Sequence, residues 1–128
     1  MERLFGIVHY ALYPAAGTGE GDLTHTYEPI LQDSAFGAIE ITWIKDARTR
    51  RKAERMLAGS NSQVMFSGGP PLLSSGLNLS SVGTSDRARA VSFAKMLIDM
   101  AYELGARNIL ISSGADPGGG GRDAAIEA

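Results

Sequence analysis

From Arg87 to Gly114 the chain reads RARAVSFAKMLIDMAYELGARNILISSG, and its apolar positions keep a helical rhythm before collapsing into one short unbroken run. Ala90, Ala94, Leu97, Ile98, Ala101 and Leu104 recur every three or four residues, the stripe of an amphipathic helix. Gly105 follows where a left-handed residue would close that helix. Asn108 to Ser113, dominated by Ile109, Leu110 and Ile111, predicts a strand covered on both faces. Helix, glycine, apolar strand and glycine-rich loop form the repeating piece of a parallel α/β protein.

The rest of the chain carries the same pattern. Leu4 to Ala11 (LFGIVHYA) predicts strand 1, and Pro14 to Gly21 (PAAGTGEG) a glycine-rich loop. Asp22 is the expected N-cap of a helix whose Leu23, Tyr27, Ile30 and Leu31 share a face and which should end at Gly37. Ala38 to Trp43 alternates by two: Ile39, Ile41 and Trp43 point one way, Ala38, Glu40 and Thr42 the other. Asp46 is expected to cap a basic helix running through Ala58 and closed by Gly59, and Gln63 to Ser67 predicts strand 3. Gly68 to Ser85 is expected to be an irregular loop, with Pro70 and Pro71 preventing regular structure. After Gly114–Gly121 (GADPGGGG), Arg122–Ala128 opens a fourth helix. The order β-α-β-α-β-α-β forces four parallel strands through right-handed crossovers.

At 128 residues the chain is expected to be a single domain, 1–128, able to bury a core. A net charge of −2 makes no electrostatic case for nucleic acid or an anionic membrane. The chain has no cysteine, which removes disulfide and thiolate chemistry. Nothing near Met1 has the form of a secretory signal and no apolar run approaches a membrane span, so a soluble cytoplasmic protein is the expectation.

Three segments carry a resemblance: GAIEIT from Gly37, the stretch SGLNLSSVGTSDRARAVSFAKMLIDMAYELGARNILISSG from Ser75, and the DPG that begins at Asp116. Together they resemble the sugar-phosphate isomerase/epimerase family, the xylose-isomerase-like TIM barrels. The resemblance spans the chain but covers only the N-terminal half of the family's barrel, since a complete (β/α)8 barrel takes about 250 residues. It implies an α/β (βα)4 half-barrel with four parallel strands, completed by dimerisation. It also implies a metal-dependent isomerase or epimerase ancestry, with most of the family's Glu, Asp and His ligands lying on later strands. The superfamily's endonuclease branch places histidines where this chain has Ser67–Gly68 and Ser112–Ser113, which disfavours that branch.

Glu40 and His9 both fall near the C-terminal ends of their strands, where such barrels place their sites. Glu40 is the candidate catalytic residue, as a substrate contact or metal ligand; the plainer reading is a half-buried carboxylate paired with His9 or an arginine. His9 is a candidate substrate contact or a structural histidine, and His25 is expected to be solvated on a helix. Two donors do not make a metal site, so none is assigned; Mn, Zn, Co or Mg is expected only if a dimer rebuilds one. Lys45, Arg48, Lys52 and Arg55 share a helical face, expected to be solvated and to bind no nucleic acid. Arg122, beside the Gly114–Gly121 loop, is the candidate contact for a sugar phosphate. The Pro14–Gly21 loop lacks the GxGxxG spacing, and no P-loop, GxSxG or HExxH motif is present.

Four parallel strands leave two unpaired edges and an uncovered sheet face, which should include Phe5 and Ile7 if His9 faces inward. Taken as a whole product, the chain is therefore expected to be a homodimer. Three functional readings follow. One is a self-associating half-barrel that has lost full catalysis. Another is a dimeric metal-dependent isomerase or epimerase with a rebuilt site, and the third is a sugar-phosphate binding module.

Overall fold

A computed structural model describes residues 5–128. Leu4, the first residue expected in strand 1, lies outside them. Four strands, β1 (Gly6–Val8), β2 (Ala38–Ile41), β3 (Gln63–Ser67) and β4 (Asn108–Leu110), form one parallel sheet in the order β1-β2-β3-β4. The described residues also form six α-helices: α1 (His9–Leu12), α2 (Thr24–Gln32), α3 (Ala47–Ala58), α4 (Gly69–Ser74), α5 (Thr84–Glu103) and α6 (Arg122–Glu127). Strands laid down in sequence order and linked by helical crossovers are what half of a (βα)8 barrel requires.

Register sorts the sheet residues into two faces. Ile7 lies opposite Ile39, Ile39 opposite Val64 and Phe66 opposite Ile109. In-register neighbours of a parallel sheet project to the same side, and this side is the covered one. Ile39, Ile41, Val64 and Phe66 are buried in one cluster with Tyr27 and Ile30 of α2, Ala53 and Leu57 of α3, and Leu97 and Ala101 of α5. On the other face Val8, Glu40, Met65 and Asn108 lie in one row across the strands. Val8 and Glu40 are half-buried, while Met65 and Asn108 are exposed. The alternation expected in β2 is therefore correct, but the phase expected in β1 is not. Gly6 and Val8, rather than Phe5 and Ile7, share the side of Glu40.

The helices follow their local chemistry, with specific departures from expectation. Asp46 caps α3 as expected, its Oδ2 accepting from the Thr49 amide at 2.7 Å and satisfying one of the unpaired donors of the first turn. Asp22 accepts from the Thr24 amide at 3.2 Å as α2 begins, but that helix ends at Gln32 instead of Gly37. The Gly37 amide instead donates to the Phe5 carbonyl at the entrance of β2. Strand 1 is also shorter than its apolar run, because Gly6–Val8 find partners on β2 and the chain then turns into α1. The Pro70–Pro71 pair does not prevent regular structure. It occupies the first turn of α4, where the missing amides would have had no acceptor.

The long helix α5 buries Ala90, Ala94, Leu97, Ala101 and the following Leu104, and Gly105 takes φ +76° behind it. Ile98 is the exception, 47% exposed where burial was expected, and Met100 is buried in the cluster instead. Strand β4 is not covered on both faces either. It pairs with β3 alone among the described residues, and Leu110 is 61% exposed. No helix among the described residues is long and apolar enough to cross a membrane.

Candidate functional site

The C-terminal ends of parallel strands gather side chains that lie far apart in sequence. Glu40 projects from the uncovered face near the end of β2. Tyr10, two residues beyond β1, is delivered by the single turn of α1, and its phenol donates to Glu40 Oε1 at 2.7 Å. Ser67, the last residue of β3, lies on the same face two positions beyond Met65 and is 1% exposed. Its backbone carbonyl accepts from the Thr42 hydroxyl at 2.8 Å, but its own hydroxyl has no hydrogen-bond partner. Ser112 follows β4. A methyl group placed on Gly69 would stand 2.9 Å from Ser112 Oγ and 3.6 Å from Ser67 Oγ, so both hydroxyls crowd this glycine.

Burial raises the pKa of the Tyr10 phenol above its ordinary value. The Ser67 hydroxyl opposes that rise, being near enough to donate to the phenolate although it makes no hydrogen bond to the neutral phenol, and the Glu40 carboxylate adds to it. The phenol is therefore a proton-bearing donor at neutral pH, and Glu40 is its acceptor. The groups assembled at this mouth are one carboxylate, one phenol and three aliphatic hydroxyls, from Thr42, Ser67 and Ser112. They hold one anion and no cation, a set suited to hydroxyl-bearing molecules.

The other expected site residues lie elsewhere. His9 does not line the mouth. It is 1% exposed, with its ring 4.4 Å from that of Tyr27 and 5.3 Å from that of Tyr13. The Thr26 hydroxyl donates to the Leu23 carbonyl at 2.6 Å, so it accepts from His9 Nε2 at 2.7 Å. That fixes the Nε2–H tautomer, and burial lowers the pKa of His9 to about 4. The expected pairing of Glu40 with His9 or an arginine is thus replaced by Tyr10. Arg122 is exposed and engaged with Asp116 at two points, Nε to Oδ1 at 3.1 Å and Nη2 to Oδ2 at 2.6 Å. His25 is exposed on α2.

The outer basic face of α3 is solvated as expected, with Lys45, Arg48, Lys52 and Arg55 all exposed. Its charges are partly matched: Lys45 pairs with Glu20 at 2.7 Å, and Lys52 approaches Asp22 at 3.5 Å. Nearby, the Pro14–Gly21 loop is clamped rather than free. Trp43 Nε1 donates to the Gly17 carbonyl at 2.9 Å, and the Trp43 ring lies so close to Gly19 (φ +72°) that a methyl group there would stand 2.9 Å from it.

The family resemblance implies a divalent metal, and the donors at this mouth do not fit one. Glu40 is the only carboxylate or imidazole among the groups gathered there. The described residues contain no cluster of three His, Cys, Asp or Glu able to hold an ion. Comparison with family models, curated proteins and solved structures finds no match to this chain.

Tyr10, Ser67 and Ser112 were missed as site residues in the sequence. Tyr10 lies inside the apolar run read as strand 1, and only ending that strand at Val8 would have placed it two residues past a strand end at the mouth. The two serines carry no comparable signal, because serine at a strand terminus is common in turns.

Proposed function

We propose that this chain is a sugar-binding half-barrel of the isomerase/epimerase type, in which Glu40 accepts hydrogen bonds from the hydroxyls of a sugar or sugar phosphate at the C-terminal ends of the strands. The chain alone would lack the groups for full turnover. The observation that carries the reading is the Tyr10–Glu40 pair on the uncovered face at the C-terminal ends of the strands. The segments around Gly37, Ser75 and Asp116 that resemble the family support it further. Thermal unfolding with a panel of pentoses, hexoses and their phosphates tests it. At least one sugar should raise the midpoint saturably, and Glu40→Gln should abolish the shift. A panel with no shift, or a shift that survives Glu40→Gln, would refute the assignment.

A second feature favours self-association as part of this reading. Phe93, Met100 and Glu103 face the β2–α3 side of α5. Phe93 meets Trp43 edge-on, Met100 Sδ accepts from the Ile44 amide, and Glu103 pairs with Arg50 at 2.9 Å. Val91, Ile98 and Tyr102, spaced by seven and four residues, share the opposite flank and are 39%, 47% and 87% exposed. Leu110 on β4, and Phe5 and Leu12 beside β1, are exposed as well. These six side chains offer several hundred square ångströms, the scale of the roughly 800 Å² per partner that a stable interface buries. In a second copy, β1 would lie along β4 and β4 along β1, giving eight parallel strands about a twofold axis. Light scattering coupled to size exclusion should give a dimer for the wild type and a monomer for the Ile98→Glu/Tyr102→Glu variant. A wild-type monomer over the whole accessible concentration range would remove the second copy.

A further inference from the structure

The orphaned hydroxyl of Ser67 calls for a partner, since a buried polar group left unpaired is costly and uncommon. Ser67 is 1% exposed, on the same sheet face as Glu40, with the Tyr10 phenol close by. A ligand hydroxyl able to donate to Glu40 while accepting from Ser67 would need the space beside both groups. That space holds the phenol oxygen of Tyr10, 2.7 Å from Glu40 Oε1. We infer that Tyr10 stands in for a ligand hydroxyl, and that the ligand is the uncharged polyol end of a sugar, which displaces the phenol from Glu40 and takes up the Ser67 hydroxyl. This inference rests on the sugar-binding reading above and narrows it.

Charge selects the uncharged end. Glu40 is the one ionised group among Tyr10, Glu40, Thr42, Ser67 and Ser112, and a phosphate brought beside it would meet like charge with no cation to offset it. Neutral hydroxyls meet no such opposition. One donates to the carboxylate in place of the phenol, and a neighbouring one can meet the serine hydroxyls. The exchange is hydroxyl for hydroxyl and leaves the count of hydrogen bonds at Glu40 unchanged. The gain comes from Ser67, which acquires the partner it lacks in the free protein. Tyr10 can move this way because it is half-buried and sits on a helix of a single turn.

Calorimetric titration of the full chain with ribose and with ribose 5-phosphate tests the inference. Ribose should bind the wild type at least as tightly as its phosphate. Tyr10→Phe, which keeps the ring and removes the competing phenol, should bind ribose several-fold more tightly. Ser67→Ala should bind it more weakly while unfolding at the same or a higher temperature, a combination that a purely structural serine would not produce. Tenfold tighter binding of the phosphate, or weaker binding by Tyr10→Phe, would overturn the displacement and leave sugar binding intact. No binding of either sugar to the wild type or to Tyr10→Phe would overturn the inference and count against the parent reading as well.

Discussion

Between pH 6.5 and pH 4 the folded chain should lose about 2 to 3 kcal/mol of stability through His9 alone, the lower figure allowing for partial screening. The sign follows from the direction of the shift. Burial lowers the folded pKa from the ordinary 6.5 to about 4, so across this window the unfolded chain holds a proton that the folded chain does not. Each proton taken up on unfolding pulls the equilibrium toward the unfolded state, and stability falls as pH falls. Well above 6.5 the imidazole is neutral in both states and contributes no slope. The physical cause is the setting of His9 between Tyr13 and Tyr27, where its contact with Thr26 satisfies Nε2–H without offering a negative charge. Denaturant titrations at a series of pH values measure the slope. His9→Phe should flatten it across the window, and an unchanged slope in that variant would show that the acid sensitivity arises elsewhere.

Phe66→Ala should cost about 4 kcal/mol, while Met65→Ala beside it should cost under about 1 kcal/mol. Phe66 is 1% exposed on the covered face of β3, in the cluster with Ile39, Ile41 and Leu97, so truncation leaves a cavity among close-packed neighbours. Met65 projects from the other face and is 37% exposed, and much of what it loses is already in contact with water. The pair is a direct assay of which side of the sheet the helices cover. Equal losses, measured by denaturation in dilute protein, would mean that both faces are packed.

Much of this fold could be read from periodicity, and the misses have specific physical origins. Ile39, Ile41 and Glu40 were sorted to the correct faces because β2 alternates apolar and polar residues. Strand β1 has no such alternation, so its apolar run gave a strand but not its phase, and the sides of Ile7 and Val8 were exchanged. Helix α4 was hidden because proline was weighed as a breaker, although the first turn of a helix is where it is tolerated. At the mouth, Glu40 was legible as a charged residue inside an apolar strand. Its partner Tyr10, thirty residues away, was overlooked in favour of the imidazole next to it. A one-turn helix is enough to send adjacent side chains in different directions, and here it turns His9 into the interior and Tyr10 to Glu40. Ile98 belongs to the apolar stripe that predicts burial and Tyr102 is unremarkable in sequence, and only the placement of Trp43 and Arg50 against the other flank of α5 reveals both as unpartnered.

The sequential strand order also bears on biosynthesis. Every strand adds to the one made just before it, from Val8 beside Glu40 to Met65 beside Asn108. No early strand therefore has to wait for a distant late one to find its pairing partner. The sheet can grow strand by strand as the chain leaves the ribosome, with the growing rim always the newest strand.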